Sequence, residues 1–122
     1  PIYYIQYSYA RTQSVLDKTN KIIDTQVLVT PELKNLYKKL LEWENVIKSA
    51  YQKKEVHLIA HYLESLSSYF HTLWSSSKNN PKAKFLDNDN NIPSDLHNLL
   101  SSYQDVLKDG LKILGIKPKL QM

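Results

Sequence analysis

The chain has 122 residues, a formal net charge of +4 and 42% hydrophobic residues, a balance typical of one globular domain. It contains no cysteine, which excludes a disulfide framework and a thiolate metal site. No apolar run approaches the roughly 20 residues that a membrane-spanning helix needs, and no signal peptide opens the chain. We therefore expect a soluble, cytoplasmic protein.

The charge and the aromatic content favour an anionic partner. Sixteen Lys and Arg stand against twelve Asp and Glu, a mild excess that is compatible with RNA. Many proteins that bind no nucleic acid share this excess, so the nine tyrosines and two tryptophans are more informative. The chain begins at Pro1 rather than at an initiator methionine, and we expect a fragment of a longer protein.

The first predicted helix, from about Ile2 to Asn20, has two distinct faces. At about 100° per residue, one face collects an ordinary core stripe: Ile5, Tyr9, Thr12 and Leu16. The opposite face carries aromatic rings and a cation, with small residues beside them: Tyr3, Tyr4, Tyr7, Arg11, Ala10 and Ser14. Tyrosine and arginine together suit a surface that stacks bases and holds phosphates. A second packing face for a neighbouring element is the alternative that the pattern leaves open.

Three further amphipathic helices follow, and no strand is predicted. The predicted bounds are Pro31 to about Ala50 behind the N-cap Thr30 for helix two, about Glu55 to Ser76 for helix three, and Pro93 to the capping glycine Gly115 for helix four. Lys21–Val29 lacks a clean period and is interpreted as a connector, and the polar stretch 77–91 as a mobile surface loop. The sequence thus predicts an all-α bundle of four main helices.

Three histidines on the third helix invite a metal-binding or phosphotransfer interpretation. His57 and His61 are four residues apart, which can place two ligands on one helix face. His71 lies roughly 21 Å further along the axis, and no carboxylate occupies the usual third place, so we predict no metal site. A phosphotransfer histidine is usually followed by Lys and Gly, which are missing here. No nucleophile–base pair or nucleotide-binding fingerprint occurs either, so the chain is predicted to be a binding module.

Three segments resemble, in order and spacing, the C-terminal domain of arginyl-tRNA synthetases. The opening YYIQYSYAR resembles the QYAHAR-type segment with which that domain begins. HLIAHYLESLSSYFHTLW is similar to the family's helix L-A-x-Y-L-x-x-L-A-x-x-F-H-x-F-Y, and VLKDGLKILGIKPKLQM to its closing V-L-x-N-G-L-x-L-L-G-I-x-x-P-E-R-M. The resemblance implies the all-helical anticodon-binding bundle shared by several class I synthetases, called the DALR domain, over residues 1–122.

The resemblance also implies a function and a set of site residues. In the family, the domain grips the anticodon stem-loop of the arginine tRNA and helps to read its middle cytosine. The predicted RNA-binding residues are Tyr3, from the outward face of the first helix, and, by correspondence with the family's motifs, Tyr7, Arg11, Phe70, Trp74 and Met122. Because Phe70 also falls in the apolar stripe of its helix, it would shape the pocket from beneath.

The chain departs from the family's pattern in several places. Tyr9 replaces the histidine of QYAHAR, and Trp74 replaces a tyrosine, exchanging a hydroxyl for an indole N–H. Where the family closes with E-R-M, this chain has Leu120, Gln121 and Met122. Leu96 and His97 stand where the family has an arginine near the start of its last long helix, which leaves open any contact that this arginine makes.

The parent family activates arginine with ATP and ligates it to tRNA. The HIGH and KMSKS signatures of that chemistry do not occur in the chain, so we expect ATP and Mg²⁺ to bind an upstream catalytic domain and no cofactor to bind this fragment. The expected partners are the arginine tRNA and that catalytic domain, in a monomer that binds neither membrane nor DNA. The alternative is a helical protein-interaction module that docks a partner helix on the Tyr/Arg face, with a weaker response to salt than RNA binding has.

Overall fold

The computed structural model describes residues 2–122 and leaves Pro1 outside the described range. The elements in this range are α1 (Ile2–Lys18), β1 (Ile22–Ile23), α2 (Pro31–Leu40), α3 (Trp43–Lys53), α4 (His57–Asn79), a 3₁₀ turn (Pro81–Ala83), β2 (Ile92–Pro93) and α5 (Ser94–Ile113). The predicted all-α class is confirmed. Among these residues, no helix combines the length and the apolar character that crossing a lipid bilayer requires.

Helix α4 is the centre of the bundle and packs against α1, α2, α3 and α5. Its apolar residues recur at three and four, so they form one stripe, and Leu63, Leu66 and Phe70 in this stripe are fully buried. Phe70 stacks on Tyr103 of α5, with ring centroids 4.8 Å apart. Further along, Gly110 of α5 lies so close to Leu63 that a β-carbon at Gly110 would be 2.7 Å from Cδ1 of Leu63. The missing side chain is therefore what lets these two helices approach.

The second predicted helix is divided in two. Its start is as predicted, with Oγ1 of Thr30 accepting a hydrogen bond from the N–H of Leu33. A turn at residues 41–42 separates α2 from α3, however, so the single helix predicted to about Ala50 was wrong. The physical reason is packing, since Tyr62 of α4 donates its hydroxyl to the carbonyl oxygen of Lys39 (2.5 Å) and stacks its ring on Trp43. The bend allows both short helices to lie against α4.

The two strands form a minimal parallel pair that the sequence did not reveal. Ile22 pairs with Ile92 and Ile23 with Pro93. The N–H of Ile92 donates to the carbonyl oxygen of Lys21 at 2.9 Å. Two residues carry no period, so a pair of this length has no signal in the sequence. The pair fixes where α5 begins relative to the end of α1.

The stretch after α4 is not entirely at the surface, in contrast to the prediction for residues 77–91. Helix α4 continues to Asn79, and Phe85 within the loop is buried. The edge of the Phe85 ring packs against Trp74, with centroids 5.7 Å apart. A buried aromatic residue anchors the loop beside α4.

The end of α5 is as predicted. Gly115 has a φ of 76°, its N–H donates to the carbonyl oxygen of Lys112, and the N–H of Ile116 donates to that of Leu111. This pair of bonds is the Schellman arrangement, in which glycine takes the left-handed conformation at little cost. It turns residues 116–122, called the tail below, away from the axis of α5.

Candidate nucleic-acid interface

The Arg11 guanidinium lies between two aromatic rings. Residues 7 and 11 lie one helical turn apart on α1, which brings the Arg11 side chain over its neighbour. Cζ of Arg11 is 4.2 Å from the centroid of the Tyr7 ring and 4.9 Å from that of the Trp74 ring. Nη2 of Arg11 also donates a hydrogen bond to the Tyr7 hydroxyl oxygen at 2.8 Å. Tyr7, Arg11 and Trp74 are called the cationic stack, in which α1 and α4 together fix one planar cation.

A row of aromatic rings extends from the cationic stack toward the start of α1. The Tyr3 and Tyr7 centroids are 5.9 Å apart, and Tyr3 has 61% of its surface exposed. Tyr4 is similarly exposed and lies against Tyr3, with centroids 6.2 Å apart. Exposed rings of this kind offer stacking surface without being needed for the core.

His71 connects this row to α4. Its ring lies 5.6 Å from that of Tyr4 and 5.8 Å from that of Tyr7. Nε2 of His71 is 3.2 Å from the carbonyl oxygen of Tyr4, so Nε2 carries the proton and donates. Burial, together with the nearby charge of Arg11, lowers the pKa of His71 although the hydrogen bond to Tyr4 opposes the shift. His71 is thus a neutral spacer between the helices.

Phe70 and Tyr103 form the floor beneath these residues. Phe70 has no exposed surface, and its ring lies 6.2 Å from that of Trp74. Tyr103, which stacks on Phe70, donates its hydroxyl to Oγ of Ser8 at 2.6 Å. Phe70 therefore supports Trp74 from below, the position that its place in the apolar stripe predicts.

Three lysines and Trp74 surround a cleft of about 400 Å³ at the far side of the stack. We call it the lysine cleft, and its charged residues are Lys18, Lys78 and Lys84. Nζ of Lys78 lies 5.2 Å from the centroid of the Trp74 ring. Nε1 of Trp74 is buried and has no hydrogen-bond partner among residues 2–122. The cleft thus combines positive charge with an aromatic ring.

The tail closes the other side of the stack. A second cleft, of about 420 Å³, lies between α1 and the tail and is called the tail cleft. Its lining residues are Tyr7, Ala10, Arg11, Ser14, Leu120, Gln121 and Met122. Met122 has 52% of its surface exposed, so its apolar side chain is not part of the core. An amide on α1 holds the tail: Gln6 donates to the carbonyl oxygen of Lys117 and accepts from the N–H of Lys119.

The sequence model of the DALR anticodon binding domain family matches residues 5–122. The chain belongs to this family. It is 35% identical over 130 residues to the arginine–tRNA ligase of Orientia tsutsugamushi (strain Boryong), covering 95% of the chain and 22% of that protein. It is 33% identical over 129 residues to the arginine–tRNA ligase of Pelagibacter ubique (strain HTCC1062), and 30% identical over 135 residues to that of Rickettsia typhi (strain ATCC VR-144 / Wilmington). These two matches cover 100% of the chain and 22% and 23% of the relatives.

The resemblance to the DALR domain of arginyl-tRNA synthetases is thereby confirmed. The DALR domain spans less than a quarter of the length of the relatives it matches. The comparison with solved structures found no match.

The structure of the DALR domain places the predicted RNA-binding residues around one location. Tyr3, Tyr7 and Arg11 lie on one face of α1, Trp74 completes the cationic stack, and Met122 lines the tail cleft. Sequence reasoning missed the residues that hold this arrangement together. Gln6 is a polar residue flanking the core stripe of α1, and His71 directly follows buried Phe70, so both positions carried a weak signal.

The other two histidines of α4 lie at the opposite end of that helix. The rings of His57 and His61 are 5.6 Å apart and both residues are exposed. Nε2 of His57 lies 3.7 Å from a carboxylate oxygen of Glu55. Within residues 2–122 of the DALR domain, no group of three His, Cys, Asp or Glu side chains is arranged to hold a metal ion.

An apolar groove of about 640 Å³ runs between α2 and α5, on residues that none of the site's clefts share. Its lining residues are Val27, Val29, Leu33, Lys34, Tyr37, Leu40, Leu41, Asp95, Asn98, Leu99, Ser102 and Val106. Val29, Tyr37 and Leu41 are exposed by more than half. The connector before α2 is pinned at the groove because the N–H of Val27 donates to the carboxylate of Asp95.

Proposed function

We propose that the chain is the anticodon-binding domain of a longer arginine–tRNA ligase and binds the anticodon stem-loop of an arginine tRNA. Family membership and the names of the relatives support this proposal. The observation that carries it is the cationic stack, in which Arg11 lies between the rings of Tyr7 and Trp74 and between two clefts. Rings set around a fixed cation form the kind of surface on which unpaired bases stack while phosphates are held.

Recognition begins when bases of the loop leave their own stack. The rings of Tyr3, Tyr7 and Trp74 are available to receive them, and stacking contributes about 1–3 kcal/mol per base. Phosphates lie against Arg11 and the three lysines of the lysine cleft, a contribution that weakens as salt rises. These stacking and charge interactions provide affinity but do not discriminate between RNA sequences.

Selection of the middle base needs directed hydrogen bonds. Cytosine presents an amine where uracil presents a carbonyl oxygen, so an acceptor in the site separates the two bases. We place this readout in the tail cleft, because residues 120–122 line it together with Arg11. Met122 would cover the base.

The remaining part of the ligase would supply the chemistry. By resemblance to the family, ATP and Mg²⁺ would bind in its catalytic domain. The proposed protein is a cytoplasmic monomer whose partners are the arginine tRNA and its own catalytic domain, with neither DNA nor a membrane as a partner.

The test is a titration of the chain with two anticodon stem-loops, one with cytosine and one with uracil at the middle position, at low and moderate salt. We expect preference for cytosine and weaker binding at the higher salt. Tyr7→Ala and Arg11→Ala should each weaken binding, whereas Tyr51→Ala, which removes an 85% exposed ring on α3, should not. Equal binding by all three variants and the native chain would contradict the site. Binding that does not change with salt concentration would instead favour the interpretation of this face as a docking surface for a protein.

The apolar groove favours a protein partner at a second place. We propose that it docks the remainder of the same ligase, because relatives named arginine–tRNA ligases are more than four times as long as the segment matched here. Tyr37 and Leu41 at its rim are exposed apolar side chains that such a neighbour would cover.

The groove is tested in the full-length ligase with Leu41→Asp. We expect aminoacylation to fall while this chain, carrying the same change, binds the cytosine stem-loop as before. Tyr51→Asp is the control for an exposed apolar residue outside the groove. Unchanged aminoacylation would contradict docking of the ligase, and concentration-dependent dimers of the native chain that Leu41→Asp abolishes would assign the groove to a second copy.

A further inference from the structure

Two separate contacts are needed to hold the tail against α1. The Schellman arrangement at Gly115 sets the direction in which the tail leaves α5. Beyond that point residues 117–122 belong to no helix or strand. Something other than secondary structure must therefore hold the end of the tail where it lines the tail cleft.

Gln6 provides this second fixed point. Its Nε2 donates to the carbonyl oxygen of Lys117 at 2.9 Å, and its Oε1 accepts from the N–H of Lys119 at 2.7 Å. The two bonds span Pro118, which has no N–H and a fixed φ, so the segment between them is stiff. One side chain thus grips the tail backbone as a neighbouring strand would.

Gln6 is buried, so its amide needs hydrogen-bond partners within the protein. The residue is only 4% exposed, and a buried amide that lacks hydrogen-bond partners is destabilising. Both its donor and its acceptor are satisfied by the tail, from residues 111 and 113 positions away. Removal of the tail from α1 would break both hydrogen bonds, so the seated tail is the favoured state.

The same grip determines the geometry of the site. Gln6 precedes Tyr7 on α1, and Leu120 to Met122 follow directly after Lys119. Tyr7 and residues 120–122, which line the tail cleft, therefore lie next to the two ends of this clamp. We infer that Gln6 is a positioning residue that seats the tail and thereby sets base selectivity in the tail cleft, an inference that rests on the proposed anticodon function.

Two variants break the clamp from opposite sides. Gln6→Met keeps a buried side chain of similar size but removes both polar groups. Lys119→Pro removes the backbone donor without touching the core, and Lys119→Gln is its matched control, since it removes the same charge and keeps the N–H. Thermal unfolding measures the accompanying change in stability, and Lys119→Pro should lose no more than the broken hydrogen bond to Gln6 accounts for.

The first readout is the order of the tail, measured by ¹⁵N relaxation at Leu120 and Met122. We expect the order parameters to fall below about 0.6, the flexible range, in Gln6→Met and Lys119→Pro but not in Lys119→Gln. An unchanged tail in both clamp variants would overturn the role of Gln6.

The second readout is the ratio of affinities for the cytosine and uracil stem-loops. We expect this ratio to fall about fivefold in the two clamp variants, the size of one lost hydrogen bond, while affinity for the uracil loop stays within about twofold. A preserved ratio with a freed tail would overturn the selectivity role. If the native chain binds neither loop, the anticodon function and the selectivity role both fail, whereas the relaxation data still decide whether Gln6 seats the tail.

Discussion

At the scale of single residues, Arg11 makes specific contacts with two aromatic rings in addition to carrying a charge. It lies between the Tyr7 and Trp74 rings and donates to the Tyr7 hydroxyl. Lysine has the same charge but neither the plane nor the fork of donors. We expect Arg11→Lys to weaken binding of the cytosine stem-loop by about 1–2 kcal/mol, or about five- to thirtyfold, in a titration at fixed salt.

The salt dependence separates the two contributions of Arg11. Because lysine keeps the charge, the slope of log affinity against log salt should stay the same in Arg11→Lys. An unchanged affinity together with an unchanged slope would mean that Arg11 contributes charge alone.

His71 makes stability depend on pH. Tyr4, Tyr7 and Arg11 of α1 and Phe70 of its own helix surround it, and its pKa is lowered, chiefly by burial. The unfolded chain, with an ordinary histidine pKa of about 6.5, therefore takes up a proton that the folded state resists. This contribution to stability is complete above the unfolded pKa and is lost as the pH falls below it.

The measurement for His71 is urea unfolding at pH 7.5 and 5.5. His71→Gln, whose amide can still donate to the Tyr4 carbonyl, should lose less stability between the two pH values than the native chain does. His61→Gln, at an exposed position on the same helix, should keep the native dependence. Equal pH dependence in all three proteins would rule out His71 as its source.

At the scale of elements, the contact of α4 with α5 depends on a missing side chain. A β-carbon at Gly110 would lie 2.7 Å from Cδ1 and 3.1 Å from Cγ of fully buried Leu63. Gly110→Ala gains about 1 kcal/mol of helix propensity but overpacks the contact by about 1–3 kcal/mol. We expect a net destabilisation of about 1 kcal/mol, measured by chemical denaturation.

Introducing Gly110→Ala into the Leu63→Val variant tests whether contact with Leu63 causes the destabilisation. With one methylene fewer at that position, Gly110→Ala should cost less than it does in the native chain, which is a coupling between neighbouring sites. Equal costs in the two backgrounds would show that Leu63 is not the obstacle.

The elements differ in how far the sequence predicts them. The stripe of α4 is long and regular, so its burial and its place at the centre follow from spacing alone. The break after α2 falls within a run of good helix formers, and it is explained by contacts of Tyr62, far along the chain, with Lys39 and Trp43. Local propensity could not predict a break that tertiary packing causes.

The residues of the candidate site also differ in how far the sequence predicts them. Tyr3, Tyr7 and Arg11 are visible because helical spacing turns them away from Ile5, whereas Trp74 and Met122 were named through the family's motifs. The lysine cleft was not predicted, since it joins Lys18 of α1 to residues of α4 and the following loop. A cleft formed by residues from distant segments that share no period cannot be predicted from the sequence pattern.

At the scale of the whole molecule, the charge that matters is local. A net charge of +4 says little, but Lys18, Lys78 and Lys84 border one cleft beside Trp74. Each phosphate contact with single-stranded RNA contributes about 0.7 to the slope of log affinity against log salt. We expect Lys78→Gln and Lys84→Gln each to lower that slope by about 0.7, measured by titration between low and moderate salt.

Lys48→Gln is the matched control for these variants. It removes an equal charge from an exposed position on α3 that lines none of the clefts described above. If its effect on the slope equalled that of Lys78→Gln, the lysines would act through total charge and the lysine cleft would have no special part.

The two tryptophans of the chain lie in separate surroundings. Trp43 is buried against Tyr62, with ring centroids 5.6 Å apart, whereas Trp74 lies under Arg11 and Lys78. Trp43→Phe would preserve an aromatic ring on Tyr62 and leave Trp74 as the sole indole emitter. Its fluorescence should then be quenched in a saturable way when a base packs on it, so the domain carries an intrinsic optical probe of its own occupancy.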